Sequence, residues 1–154
     1  MNRNRFFSSA AGLTIISLTT LASAPSAWAQ NRQLSIEASE QDGYARILMS
    51  WADGSENGPS LTADMTGPVL ILRFDEPVAL DLDKLKDDLP SQIAIARQSD
   101  DGREVRIALA REYKAHVSNS WDLTAIDLVS EDRDTDPPDI VSPVVARKAA
   151  EAQA

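Results

Sequence analysis

The sequence predicts an all-β fold, a small antiparallel β-sandwich with one short inserted helix. Apolar and polar residues alternate with a period of two in a series of short segments, which is typical of half-buried strands. Turn-forming residues separate these segments at intervals of about 8–12 residues, as they do in sandwiches and barrels. The chain has 154 residues and no cysteine, so its core must hold the fold without disulfides.

Seven or eight strands are expected before residue 130. In the second strand, Ala45, Ile47, Met49 and Trp51 share one face. The strand at 69–74 is apolar on both faces until Arg73, which predicts a central strand covered on two sides. The predicted strands are residues 34–38, 44–51, 60–66, 69–74, 92–98, 103–110, 113–118 and 121–129.

The second half of this pattern carries predictions about turns and faces. Residues 99–102 end in Asp-Gly, which suits the positive φ angles of a tight hairpin turn. Ile93 and Ile95 are expected to point the same way, because they are two residues apart in one strand. A turn at 119–120 is expected to lead into the last strand, where Ile126 and Leu128 face the core.

Residues 80–89 predict the inserted helix. Leu82, Leu85 and Leu89 recur at spacings of three and four, and Asp and Lys fill the opposite face. Pro90 ends the helix because it disfavours helical geometry at the preceding residue.

Residues 1–29 predict an export signal. Arg3 and Arg5 precede an apolar stretch at 6–21, and Ala27 and Ala29 form the small-x-small pattern of a cleavage site. The alternative is a membrane anchor, but the apolar run is shorter than the roughly 20 residues that span a bilayer. We therefore expect cleavage after Ala29, a periplasmic or secreted protein, and no stable membrane insertion afterwards.

The predicted organisation is a signal peptide at 1–29, a β-sandwich domain at 30–130, and a C-terminal part at 131–154. Residues 131–143 hold five carboxylates and three prolines, which favours a disordered acidic linker. Residues 146–154 are Ala-rich and resemble the first turns of a helix. They are either a frayed tail or the front end of something longer, and we favour the second interpretation.

The charge of the exported chain excludes two classes of partner. The whole chain has 15 Lys and Arg against 24 Asp and Glu. Loss of Arg3 and Arg5 with the signal leaves 13 basic against 24 acidic residues, a net charge near −11. Nucleic acids and anionic lipid surfaces are bound mainly through Lys and Arg, so neither is an expected partner.

No residue pattern predicts catalysis, a metal site or a cofactor. His116 is the only histidine, and a structural or surface role is the simpler interpretation of it. Asp132, Asp134 and Asp136 alternate as in a calcium loop, but Pro137 and Pro143 stand where that loop needs Gly and Glu. We therefore expect a protein that is not an enzyme.

Four residues are candidates for ligand binding. Tyr44 and Trp121 stand at the starts of predicted strands, where a ring is best placed to stack on a sugar. Arg46 and Arg106 lie within strands and would anchor a ligand that carries carboxylates. The alternative is that the aromatic rings fill the core and the arginines are scattered.

Three segments resemble AMIN-like domains. Residues 44–51 resemble the opening strand of that family, 70–78 its central strand and Pro-containing exit, and 125–128 its closing strand. The inserted helix departs from the typical pattern, which suggests a divergent branch. The resemblance implies a two-sheet periplasmic module without catalytic activity that localises a partner domain by contacting peptidoglycan.

Two functions are therefore expected, and both lack catalysis. The first is localisation or binding at the cell envelope, with cell-wall glycan as the partner. The second is a structural domain that assembles with envelope proteins, for example by edge-strand pairing.

Overall fold

The computed structural model describes residues 31–133, 136–141 and 143–153. The predicted signal peptide, with Ala27 and Ala29, lies outside the described residues. The elements in chain order are β1 (Arg32–Glu40), β2 (Tyr44–Trp51), β3 (Leu61–Thr66), β4 (Val69–Phe74), β5 (Val78–Ala79), α1 (Leu82–Asp88), β6 (Ile93–Gln98), β7 (Glu104–Leu109), β8 (Tyr113–Ser120), β9 (Leu123–Ser130) and α2 (Pro143–Ala152).

The strands form two sheets, which confirms the predicted all-β sandwich with a short helix. One sheet has the order β5-β1-β2-β9-β8, and the other has the order β3-β4-β7-β6. All pairs are antiparallel except β1 and β5, which run parallel over two residues. Val78 and Ala79 of β5 were not expected as a strand, because a two-residue element has no periodicity to read.

The core lies between the inner faces of the two sheets. The inward faces predicted for β2, β7 and β9 are confirmed, since Ile47, Ile107 and Ile126 are each fully buried. Trp51 is also buried, at 5 % exposure. Each fully buried aliphatic side chain contributes about 1.5–3 kcal/mol relative to an exposed one, so this layer holds the cysteine-free fold.

Two predictions about strand faces were wrong. β4 is central in its sheet, but its outer face is not covered: Arg73 is exposed, and Val69 and Ile71 are only half-buried. In β6, Ile93 is buried and Ile95 is 53 % exposed. A register shift between them marks a β-bulge, and one extra residue reverses the face of every later side chain.

The predicted turn at 119–120 was also placed wrongly. Ser120 pairs with Leu123, so the two residues that turn the chain are Trp121 and Asp122. Trp121 has φ = 50°, a left-handed conformation that is uncommon for a bulky residue. This turn lies at the end of the sandwich where β8 stops and β9 starts.

Helix α1 closes one side of the sandwich. The Asp81 side chain caps its N-terminus by accepting a hydrogen bond from the Lys84 backbone N–H at 2.9 Å. Leu85 and Leu89 are buried against the core, as their spacing predicted. On the other face, Asp88 accepts hydrogen bonds from the Lys84 ammonium and from the Ala38 backbone N–H, which ties the helix to β1.

Acid should destabilise the protein through such carboxylates. The Lys84 hydrogen bond lowers the pKa of Asp88, and the Ser99 hydroxyl lowers that of Asp101. A carboxyl whose pKa is lower in the folded state stabilises the fold above its unfolded pKa, about 3.9 for Asp. This stabilisation disappears as the pH falls through the lower, folded value.

We therefore expect a free energy of unfolding that is flat from about pH 7 to pH 5 and falls below about pH 4. Urea unfolding measured at several pH values tests this, with Asp88→Asn as a variant whose acid decline is shallower. A free energy that stayed constant down to pH 3 would contradict the expectation.

The C-terminal segment contacts the outer face of the five-stranded sheet. The Pro138 carbonyl accepts a hydrogen bond from Arg46 Nη2 at 2.5 Å, and Lys148 Nζ lies 5.0 Å from the centre of the Trp121 ring. Residues 136–141 have no regular structure, and disorder of this linker stays a prediction. Neither of the two helices in the described ranges is long and apolar enough to cross a bilayer.

Candidate functional site

A cleft opens at the end of the sandwich where β1 turns into β2 and where β9 ends. Its volume is about 280 Å³, and we call it the end cleft. Four parts of the chain meet there: the β1–β2 turn, the residue before β6, the start of β8, and the end of β9. The lining includes charged, polar and aromatic side chains: Glu40, Asp42, Tyr44, Gln92, Arg111, Tyr113, Ser130, Asp132 and Arg133.

The β1–β2 turn is built to project its side chains over the cleft. Gln41 N–H donates to the Tyr44 carbonyl at 2.8 Å, which closes the turn. Gly43 has φ = 92°, a conformation that any side chain would disfavour. Glu40 and Asp42 are exposed on either side of this turn.

Gln92 lies deepest among the polar groups of the cleft. Its backbone is held on both sides, because its N–H donates to the Leu89 carbonyl and its carbonyl accepts from Ala110 N–H. The side chain is 6 % exposed, and its Oε1 has no hydrogen-bond partner among the described residues. An unsatisfied buried acceptor costs about 1–3 kcal/mol, so this position needs an explanation.

Arg111 and Tyr113 form one wall. Arg111 Nε donates to the Tyr113 hydroxyl at 3.1 Å, and its guanidinium carbon lies 5.2 Å from the Tyr113 ring centre. The hydrogen bond to Tyr113 raises the pKa of Arg111, with the charges of Asp132 and Glu40 adding to it. Arg111 is therefore a fixed cation at the mouth of the cleft.

The end of β9 lies beside this wall, because Ser130 pairs directly with Tyr113 in the sheet. The Ser130 hydroxyl lowers the pKa of Asp132, and the charges of Arg111 and Arg133 lower it further. Arg133 Nη1 approaches Asp42 Oδ1 at 3.8 Å across the rim. Asp132 is therefore an anion at neutral pH, and the rim carries both signs of charge.

The four residues predicted to bind ligands do not form one site. Tyr44 lines the end cleft. Arg46 lies two residues along the same face, with its guanidinium 5.2 Å from the Tyr44 ring centre. Arg106 is on the other sheet, where it donates to Glu104 at 2.6 Å. Trp121 is 49 % exposed at the opposite end of β8, about 25 Å away for eight residues of strand.

Arg46 is engaged inside the protein. Its Nε and Nη2 donate to the two carboxylate oxygens of Asp127 at 2.6 and 2.8 Å. The Asp127 hydrogen bond raises the pKa of Arg46 despite the opposing effect of burial. With its Nη2 also donating to Pro138, three of its five N–H groups are engaged, and at 13 % exposure the side chain is poorly accessible to a ligand carboxylate.

Sequence reasoning missed Gln92 and Arg111 as site residues. Gln92 was predicted as the first residue of a strand and instead lies just before β6, whereas Arg111 lies in the connection between β7 and β8. Nothing local to either residue indicates that the two connections open on the same end of the sandwich. Gln92 and Arg111 could be identified only from a known strand order, by asking which polar residues at strand ends that order brings together.

A scan against protein-family models, a search of curated proteins and a search of solved structures each find no match to this chain. The AMIN-like resemblance of residues 44–51, 70–78 and 125–128 therefore stays a prediction. In the structure these segments lie mainly on β2, β4 and β9, whose inward positions are core.

Proposed function

We propose that this protein is a non-catalytic, AMIN-like module of the bacterial cell envelope, and that the end cleft is its binding site. The observation that carries the proposal is Gln92, a buried amide with an unpartnered oxygen in a cleft lined with charges of both signs. Proteins rarely leave such an acceptor unsatisfied. The oxygen is covered in this structure, so a ligand that donates a hydrogen bond to it requires a side-chain rotation, which is common at binding sites.

The side chains around the cleft support binding rather than catalysis. His116 lies on β8, exposed and outside the lining of the cleft. No group of three or more His, Cys, Asp or Glu side chains in the described part of the chain could hold a metal ion. The lining offers hydrogen bonds and charges, which are the groups that orient a ligand.

Peptidoglycan is the proposed partner, and co-sedimentation with purified sacculi tests it. We expect the protein in the pellet, with retention that rises from low to moderate salt. The chain has a net charge of −9, or near −11 without Arg3 and Arg5, so an anionic wall repels it and salt screens that repulsion. Protein that stays wholly in the supernatant at both salt concentrations would contradict this function.

Edge-strand pairing with an envelope protein is the second candidate. β8 is an eight-residue strand at the edge of its sheet, and no described strand pairs with its outer side. Val117 is 39 % exposed there, and the Ser118 hydroxyl is buried without a partner among the described residues. Such an edge is a template for another strand. Crosslinking in intact cells that trapped only proteins, through residues of β8, would favour this function.

A further inference from the structure

Three groups of the end cleft have incomplete bonding. Gln92 Oε1 has no hydrogen-bond partner in the part of the chain that the structure describes. Arg111 uses Nε for the Tyr113 hydroxyl, and its other nitrogens form no ion pair with any described carboxylate. Glu40 likewise forms no ion pair with a described cation, although its charge acts on Arg111. Within the described ranges, one cleft therefore holds a cation and an anion without an ion pair and an acceptor without a donor.

The signs of these charges restrict the ligand. Arg111 and Arg133 are positive, whereas Glu40, Asp42 and Asp132 are negative. Two cations and three carboxylates disfavour a ligand with only negative charge, and a ligand with only positive charge leaves Arg111 without an anion. A small ligand with both charges can match both sets at once.

Resting on the proposed function, we infer that the end cleft binds a short peptide end that carries both a free carboxylate and a side-chain ammonium group, rather than a sugar. The ligand carboxylate lies on the Arg111 guanidinium, and its ammonium group lies toward Glu40 and Asp132. Because Gln92 Oε1 is covered in this structure, a side-chain rotation brings it to an N–H group of the ligand. Within an envelope polymer, this assigns recognition to the peptide portion and not to the glycan.

The aromatic residues of the cleft favour a peptide over a sugar. A sugar ring stacks on an exposed aromatic face. Tyr113 is only 6 % exposed, and Arg111 lies against its ring. Tyr44 is half-buried, and Arg46 lies 5.2 Å from its ring centre. Tyr113 is too buried to offer a face to a sugar, and Arg46 lies over one face of Tyr44, so both rings serve as supports for a guanidinium.

Calorimetry with three probes on the purified protein tests the inference. The probes are alanyl-alanine, whose terminal ammonium group stands in for the side-chain ammonium, its N-acetyl derivative, which lacks the ammonium, and its amide, which lacks the carboxylate. We expect alanyl-alanine to bind, and each modified probe to bind about tenfold more weakly, because each loses one charge-assisted contact.

Variants assign each charge to a residue. Arg111→Gln should weaken alanyl-alanine binding about tenfold and abolish the preference over the amide. Glu40→Gln should reduce the preference over the N-acetyl probe. Arg97→Gln is the matched control, since Arg97 is exposed on β6, outside the cleft, and should change nothing.

Gln92→Met separates recognition from folding. Methionine keeps the length of the side chain and removes the unpartnered oxygen, so the urea midpoint should rise while peptide binding weakens. Gln98→Met is the contrast, because the Gln98 amide donates to the Val78 and Gly102 carbonyls and its loss should lower the midpoint.

Competition on sacculi distinguishes the inference from the proposed function. If millimolar alanyl-alanine reverses the sedimentation, the result supports both the peptide-binding inference and the proposed function. Sedimentation that the dipeptide leaves unchanged, with no calorimetric binding, overturns the inference and keeps the function. Dipeptide binding in solution without sedimentation keeps the inference and overturns the peptidoglycan assignment. If the protein neither sediments with sacculi nor binds the dipeptide, both the inference and the peptidoglycan assignment are overturned.

Discussion

Asp127→Ala should lower the free energy of unfolding by about 3 kcal/mol, because it leaves the Arg46 guanidinium largely buried without its carboxylate. The Asp127 side chain is 4 % exposed and that of Arg46 is 13 % exposed. Arg46 and Asp127 are directly paired on β2 and β9 and share two hydrogen bonds. Removing one partner of a buried ion pair typically costs about 3–5 kcal/mol. We expect the lower end of this range, because Arg46 keeps its hydrogen bond to Pro138 and is partly exposed.

Two comparisons show whether burial is the cause. Glu104→Ala removes the carboxylate that Arg73 and Arg106 share on an exposed face, and its loss should be far smaller. The double variant Arg46→Leu with Asp127→Leu removes both charges together, and its stability should return close to that of the parent. The measurement is urea unfolding followed by tryptophan fluorescence. Equal losses for Asp127→Ala and Glu104→Ala would show that the pair is not effectively buried.

The sandwich could be predicted from the sequence because local periodicity determines which residues face a core. The bounds of β2 and β4 agree with the prediction, since each is a clean run between turn formers. α1 covers residues 82–88 of the predicted 80–89, because the Asp81 cap starts it later than the leucine spacing suggests. An alternating pattern does not reveal an inserted residue. The bulge in β6 therefore turned the Ile95 side chain to the face opposite the predicted one.

The outer surfaces were harder to predict than the core. An apolar outer face on β4 suggested a covering layer, but Val69 and Ile71 are only partly covered. On β9 the reverse holds: Ala125, Asp127 and Val129 are all buried although they face away from the core. Their burial depends on the long side chains of β2 beside them and on contacts such as that between Arg46 and Pro138, which join residues far apart in sequence.

The candidate site was accessible to sequence reasoning only in part. Tyr44 was named because it begins a strand, and it does line the end cleft. Gln92 and Arg111 became candidates only when the strand order placed their two connections at one end of the sandwich. Trp121 was also hard to interpret. Tryptophan is not a typical turn residue, so the sequence did not indicate that the chain turns there with a positive φ angle.

Gly58→Ala should destabilise the protein by about 2 kcal/mol, because the added methyl group would overpack a contact between a loop and β9. A Cβ atom at this position would lie 2.9 Å from both the Leu123 carbonyl carbon and Thr124 Oγ1. Neither neighbour can yield easily: the Leu123 atom belongs to the backbone, and Thr124 Oγ1 lies 2.8 Å from the Pro59 carbonyl. The Gly58 N–H also donates to the Trp121 carbonyl at 2.9 Å, so a displaced loop would lose that hydrogen bond.

Gly54→Ala isolates the steric part of this effect. Gly54 lies in the same loop with φ = 74°, but a Cβ atom there would meet no heavy atom within 4 Å. Its substitution should therefore cost only the backbone strain of a left-handed residue, about 1 kcal/mol. Urea unfolding of the two variants measures the difference directly. A Gly58→Ala loss no larger than that of Gly54→Ala would mean that the loop moves away freely and that its packing against β9 contributes little to stability.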